Sequence, residues 1–183
     1  EGRDIVVWID TLQASWTRAE DRYELVALPY QSGVSSAHAA FQRQWGDDDD
    51  RKWRAFGADS GLFVEILSGE PMDAHGRGFW VRTRKLERRL RIAQAWSPAV
   101  STPERIRLQP GWNAVGNPFG FDVPWSQVRR LSGLDTTEVT GPYSFDGPTQ
   151  GWTIPDTNAT WGAWKGIAIL NSGDAPVDLV VPS

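Results

Sequence analysis

The sequence predicts an all-β fold with one short helix in each of two similar units. Three observations support this fold class. The 18 glycines and 12 prolines of the 183-residue chain are spread along its length, which favours short elements joined by turns. Short Val- and Ile-rich runs lie between turn signals, as in all-β proteins. The first half of the chain also resembles the second half in the order of its residue types, which indicates an internal repeat.

The internal repeat begins with YELVALPYQSG (23–33), which aligns with WNAVGNPFGFD (112–122) at an offset of 89 residues. Both segments start with an aromatic, a polar, two apolar and a small residue, followed by one variable position, a proline and an aromatic. Further along, KWRAFGADSGLF matches GPYSFDGPTQGW, and GRGFWVRT matches WKGIAILN. We therefore predict two tandem pseudo-repeat units, 1–91 and 92–183, each a β-sandwich or a small barrel.

The unit should contain two strands, a short helix and then further strands. Helices are predicted at 36–45 and 126–132, with Ser36 as the N-cap of the first and Gly133 as the stop of the second. One face of the first helix carries an apolar stripe: Ala37, Ala40, Phe41 and Trp45.

The later strands follow from short apolar runs: LFVEIL, GFWVRT, RRLRIAQAW, RIRL, GWTI, GIAILN and VDLVV. The segments RTRKLERRLR (82–91) and NSGDAP (171–176) are predicted to close hairpins. The apolar strand at 5–8 leads into the first unit. It should pair within that unit's sheet, and the alternative is pairing with a neighbouring chain.

The stretch LQPGWNAVGNPFGFDVPW (108–125) is either a binding loop or a packed strand that leads into a turn. The matching segment in the first half favours the strand and turn, because a ligand-binding loop has no need to occur twice. Pro118 should end the strand pairing, since it offers no N–H. Four side chains are expected to be buried: Trp80, Trp112, Pro118 and Trp125.

A family resemblance is carried by PGWNAVGNPFGFDVPWSQV (110–128), which is similar to the GWN-[LQ]-IG-NPF-x-FPV-x-W signature of a tandem module in large secreted bacterial proteins. The ending WKGIAILNSGDAPVDLVVPS (164–183) resembles the WKGYWVYN ending of that module, with Ile167 and Ala168 in place of its aromatic pair. The resemblance covers residues 20–183. It implies a position toward the C-terminal side of a secreted or surface protein, often next to protease, fibronectin-like or immunoglobulin-like domains.

The expected function is that of a non-catalytic accessory module, extracellular or at the bacterial cell surface. It would bind carbohydrate or mediate adhesion, with a polysaccharide or cell-surface glycan and the neighbouring domains of a longer chain as partners. The alternative is a structural or assembly module without a small-molecule ligand, such as a spacer, a surface-fibre segment or a protease-associated domain. The sequence carries no nucleophile motif that would predict an enzyme.

Two groups of side chains are candidates for binding. The chain has 11 tryptophans against three tyrosines, and flat rings suit sugar surfaces. The first candidate group is a ligand-stacking platform: Tyr143, Trp152 and Trp161. Trp164 aligns with Gly76 and is interpreted as structural. The second group is an arginine stripe on the outer face of the predicted hairpin, suited to an anionic surface or to protecting a sheet edge: Arg82, Arg84, Arg89 and Arg91.

Several classes of protein do not fit the composition. The absence of cysteine excludes disulfides and thiolate metal sites. The net charge of −4 argues against nucleic acid, and no apolar run approaches the roughly 20 residues of a membrane span. No cofactor or metal is expected, because His38 and His75 fall in different elements and DDDD (47–50) lacks the spacing of a calcium loop. That acidic run is interpreted as a solvated loop, with a weak divalent site as the alternative.

Overall fold

The structure is a computed structural model in which most of the chain is described. The described residues are 8–15, 22–29, 31–32, 36–47, 49–59, 62–66, 75–84, 89–96, 98–146, 149–156 and 158–183. Within them the protein is mostly β-strand with two short helices, so the predicted all-β class is confirmed.

The first half contains seven strands and a helix among the described residues. They are β1 (Trp8–Ser15), β2 (Glu24–Ala27), β3 (Gln31–Ser32), α1 (Ala37–Trp45), β4 (Trp53–Asp59), β5 (Leu62–Glu65), β6 (Gly78–Thr83) and β7 (Arg89–Trp96). The strands form two antiparallel sheets, with the orders β1–β7–β3 and β2–β6–β4–β5.

The second half is built from similar parts. They are β8 (Glu104–Leu108), β9 (Gly111–Gly116), β10 (Val123–Pro124), α2 (Trp125–Ser132), β11 (Val139–Asp146), β12 (Gly151–Thr153), β13 (Thr160–Trp161), β14 (Gly166–Asn171) and β15 (Val177–Val181). Here the antiparallel sheets have the orders β8–β15, β9–β14–β11–β12 and β10–β13.

The order of the main strands agrees between the two halves, although β3 joins β7 whereas β10 pairs with β13. The sheet β2–β6–β4–β5 corresponds to β9–β14–β11–β12, and the pair β1–β7 corresponds to β8–β15. In each half the helix follows the third strand. Strand β7 runs across the predicted boundary between residues 91 and 92 and pairs with β1, so its backbone belongs to the first half. The origin of the two halves by duplication stays a prediction.

Each half has its own hydrophobic core. In the first, the apolar stripe of α1 packs against β2, β4 and β6, and Phe41 stacks on Trp45 with 5.2 Å between ring centroids. In the second, α2 and β15 pack against β9 and β14. The side chain of Ser36 accepts a hydrogen bond from the N–H of Ala39, and Gly133 ends α2 with a φ of 57°. Both predicted helix ends are confirmed.

Both predicted hairpins are wrong. Strand β6 pairs with β2 and β4, whereas β7 pairs with β1 and β3, so the two strands belong to different sheets. The segment 171–176 likewise connects β14 to β15, which pairs with β8. Strands that are adjacent in sequence separate here because each pairs with a partner from the start of its own half.

The N-terminal strand pairs within the chain. Strand β1 runs antiparallel to β7, with Trp8 opposite Trp96. From Trp8 onward this agrees with the intramolecular pairing predicted for the lead-in strand. Residues 5–7 lie outside the described part of the chain.

The stretch 108–125 is a strand followed by a turn that Asn117 holds together. Asn117 is fully buried, and its Nδ2 donates to the carbonyl oxygens of Phe121 and Trp161, both at 2.9 Å. Its Oδ1 accepts from the N–H of Phe119, also at 2.9 Å. All the polar atoms of this side chain therefore stabilise the local chain path, which explains an asparagine at this position.

The expected burial holds for Pro118 and Trp125, and Trp80 is half-buried. For Trp112 the expectation is wrong, because 48% of its surface is exposed. Alternation along β9 explains the difference. Val115 points into the second core, so Trp112 points to the opposite face of the sheet.

Two equivalent hydrogen bonds join the halves. The N–H of Ala27, at the end of β2, donates to the carbonyl of Trp164 at 2.9 Å. The N–H of Gly116, at the end of β9, donates to the carbonyl of Gly76 at 3.0 Å. A Cβ on Gly116 would collide with the Arg77 carbonyl, so glycine allows this close approach of the two backbones.

Candidate functional site

Four aromatic side chains form a continuous cluster where the two halves meet: Phe63, Trp80, Phe145 and Trp152. We refer to these four residues as the aromatic cluster. Trp80 lies at its centre, with centroid distances of 4.5 Å to Phe145, 5.5 Å to Trp152 and 6.2 Å to Phe63. All of these contacts are edge-to-face, which is a favoured geometry for aromatic pairs.

Four different strands supply these rings. Trp80 projects from the outer face of β6, because its neighbours Phe79 and Val81 point into the first core. Phe145 of β11 and Trp152 of β12 lie opposite each other in register. Since Trp80 belongs to the first half and Phe145 and Trp152 to the second, the cluster exists only when the halves are docked.

The cluster leaves much apolar surface in water. Phe63 is 51% exposed and Trp152 is 49% exposed. Leu62 and Val64, on the opposite face of β5, are exposed as well, but they do not extend the cluster. Contiguous exposed apolar surface of this kind marks interaction sites more often than it marks ordinary protein surface.

A salt bridge lies beside the cluster on the same sheet. Arg54 of β4 donates from Nε and Nη2 to the two carboxylate oxygens of Glu65, at 2.7 and 2.8 Å. The Arg54 guanidinium holds the pKa of the Glu65 carboxyl below its usual range, and Glu65 raises the pKa of Arg54 in turn. The guanidinium also lies 4.9 Å from the ring centroid of Phe56. These polar groups are thus held in place next to exposed aromatic rings.

The predicted stacking platform is only partly assembled. Trp152 belongs to the aromatic cluster, and Tyr143 contacts Trp112 instead, with 5.3 Å between centroids. Trp161 is 4% exposed and donates from Nε1 to the Lys165 carbonyl at 2.9 Å. Pairing of β13 with β10 accompanies the packing of this ring in the second core, so placing Trp161 on an exposed platform is wrong.

The four predicted arginines do not share one hairpin. Arg82 lies on β6 with its guanidinium 5.9 Å from the ring centroid of Tyr23, and Arg84 is exposed just beyond the end of β6. The backbones of Arg89 and Arg91 lie in β7, in the other sheet, and their side chains lie outside the described part of the chain. A role for these residues in binding an anionic surface stays a prediction.

Sequence reasoning missed Phe63, Trp80 and Phe145 as members of an exposed surface. One usable signal was the alternation in GFWVRT, which places Trp80 opposite to Phe79 and Val81. The contact between Trp80 and Phe145 joins residues from different halves, and no local pattern indicates it.

The two histidines, Asp47 and Asp49 contact other groups of the protein. His38 is buried on α1 with its ring centroid 5.7 Å from that of Trp53, and Nε2 of His75 lies 3.4 Å from a carboxylate oxygen of Glu104. Asp47 accepts from Gln42, whereas Asp49 accepts from the Arg51 N–H and pairs with Lys52 at 2.8 Å. Among the described residues, no group of three His, Cys, Asp or Glu side chains is placed to hold a metal ion.

In the described part of the chain, neither helix is long and apolar enough to cross a membrane. The fold defines the class of the protein as all-β, with an exposed aromatic surface between two halves of like strand order. No protein-family model matches the chain, and no curated protein and no solved structure is significantly similar to it.

Proposed function

We propose that this chain is a non-catalytic accessory module, extracellular or at the bacterial cell surface, which binds carbohydrate through the aromatic cluster. The observation that carries the proposal is the half-exposure of Trp152 and Phe63 in contact with Trp80. The C–H faces of sugar rings pack on aromatic rings, and rigid rings lose little entropy in doing so. The resemblance to a secreted bacterial module supports the location and the non-catalytic character.

The neighbouring ion pair suits the same ligand. Sugar hydroxyls need fixed donors and acceptors, and sites for such ligands combine apolar walls with a few placed polar groups. Arg54 and Glu65 already hold each other through two hydrogen bonds. Less ordering is therefore needed when a sugar binds beside them.

Affinity electrophoresis in gels that contain neutral or acidic polysaccharides tests the proposal, followed by calorimetry on any polysaccharide that retards the protein. Trp152→Ala should weaken binding at least tenfold, about 1.4 kcal/mol. Trp112→Ala is the matched control, because Trp112 is 48% exposed but lies outside the aromatic cluster. Migration unchanged by every polysaccharide, or equal losses in both variants, would contradict the proposal.

A structural or assembly role is the second candidate, and β5 favours it. Among the described strands, β5 lies at the end of its sheet, where one backbone edge faces no other strand. Leu62 is 71% exposed there, and the next two residues, Phe63 and Val64, are exposed as well. Such an edge can accept a strand from a neighbouring molecule. Light scattering at increasing concentration should then show association that Leu62→Lys abolishes, whereas a monomer at all concentrations argues against this role.

A further inference from the structure

A concave surface between α2 and β11 lies apart from the aromatic cluster. We propose that this α2–β11 groove binds a small carboxylate carried on a ring that presents an apolar face. It encloses about 630 Å³, a volume typical of small-molecule sites. Five of the residues that line it carry the argument: Trp125, Arg129, Arg130, Tyr143 and Ile154.

Trp125 lines this groove and is a buried reporter of what binds there. Trp125 is 5% exposed, and its Nε1–H forms no hydrogen bond within the described structure. The indoles of Trp53 and Trp161 differ, since they donate to the carbonyls of Gly46 and Lys165. Trp45 in the first core also has an indole N–H without a partner among the described residues, so the Trp125 N–H serves here as a probe of the groove and not as a ligand contact.

The rim of the groove is cationic. Arg129 and Arg130 on α2 are exposed, and neither forms an ion pair with another described residue. No aspartate or glutamate lines the groove. Asp135 is nearby in sequence, but its Oδ1 accepts from the N–H and the hydroxyl of Thr137. The groove therefore complements negative charge.

Apolar surface completes the site and sets the class of ligand. Ile154 is 72% exposed, and Tyr143 lines the groove as well. An inorganic anion would leave this surface unused. A carboxylate on a ring fits better, because its ring packs on Ile154 and Tyr143 while its oxygens accept from Arg129 and Arg130. The ring can come from a uronic acid of a glycan or from an aromatic acid.

Nitrogen–proton correlation spectra of the indole groups test this site, with Trp125→Phe used to assign the Trp125 signal. Glucuronate and benzoate are titrated, with glucose and benzyl alcohol as their uncharged counterparts. We expect one or both anions to shift the Trp125 signal in a saturable manner, whereas the uncharged compounds leave it in place. A response to glucuronate alone identifies a sugar acid, and a response to benzoate alone identifies an aromatic acid.

Variants separate this site from the aromatic cluster. Arg129→Gln combined with Arg130→Gln should weaken the anion at least tenfold, and both side chains are exposed, so the fold is preserved. Arg105→Gln combined with Arg107→Gln removes the same charge from β8 and should bind as the unchanged protein does, as should Trp152→Ala. The proposal is overturned if neither anion shifts the Trp125 signal, if the uncharged compounds shift it equally, or if the Arg129 and Arg130 variant binds normally.

Discussion

Gly76 and Trp164 adopt the same left-handed backbone conformation at corresponding positions of the two halves, with φ angles of 67° and 64°. The carbonyl of each accepts a hydrogen bond from the opposite half. The side chains at the two positions differ. Trp164 packs against the first core, whereas Ile106 fills the space beside Gly76. The halves thus share one backbone contact and complete it with different side chains.

This relationship predicts an unusual order of stability at position 164. Trp164→Ala should cost about 2–3 kcal/mol, because a half-buried indole leaves the first core. Trp164→Gly removes the same packing but relieves the left-handed conformation by about 1 kcal/mol. Urea denaturation should therefore find the glycine variant at least as stable as the alanine variant. The opposite order would show that the positive φ at this position is not strained.

Glycine at the junction of the halves gives a second prediction. A Cβ at position 116 would collide with the Arg77 carbonyl and lie 2.6 Å from the Cβ of Ala27. Because backbone moves less easily than a side chain, Gly116→Ala should destabilise the protein by about 3 kcal/mol. Gly151→Ala is the control, since its Cβ would meet only the Thr149 hydroxyl at 3.3 Å, and it should change stability by about 0.5 kcal/mol or less. Equal melting temperatures for the two variants would refute the close contact.

The features that the sequence predicted well are local ones. They are the N-cap at Ser36, the helix stop at Gly133 and the bounds of the strands GFWVRT and GIAILN. Each of these features depends on residues close to it in sequence. Strand pairing is different, because β7 pairs with β1 from the far end of the same half. No signal within the segment 82–91 distinguishes that arrangement from a hairpin.

The candidate site shows the same limit. Trp152 and Trp161 both lie in a turn-rich segment, and the sequence predicted the same role for both. Trp161 is buried because it packs with Trp125 in the second core, whereas Trp152 packs on Trp80 and Phe145 at the surface and stays half-exposed. The side chains that pack against each ring decide the outcome, and Trp80 and Trp125 are distant in sequence from the rings they contact.

The Arg54–Glu65 pair predicts a modest dependence of stability on pH. The folded protein lowers the pKa of Glu65 from its usual value of 4.5, so the pair stabilises the fold at neutral pH and this contribution is lost as the pH falls through the lowered pKa. Both side chains are about one-third exposed, which limits the effect to about 1 kcal/mol or less. The free energy of unfolding of the unchanged protein and of Glu65→Gln should converge in acid. A constant difference from neutral to acidic pH would contradict the assignment.

Substitutions of Asn117 separate the effect of its hydrogen bonds on stability from the effect of its shape. Asn117→Ala leaves three backbone partners without a bond, those on Phe119, Phe121 and Trp161, and should cost about 2–3 kcal/mol. Asn117→Asp keeps the shape and the acceptor for Phe119, but it turns a carboxylate oxygen toward two carbonyl oxygens. A buried charge facing acceptors costs more than a missing bond, so the aspartate variant should be the less stable of the two at neutral pH.

In acid the carboxyl of the aspartate variant gains a proton that it can donate, and the difference in stability between the two variants should narrow. Thermal denaturation of both variants across that pH range measures the gap. An aspartate variant that matches the original protein at neutral pH would mean that Asn117 does not donate to Phe121 and Trp161.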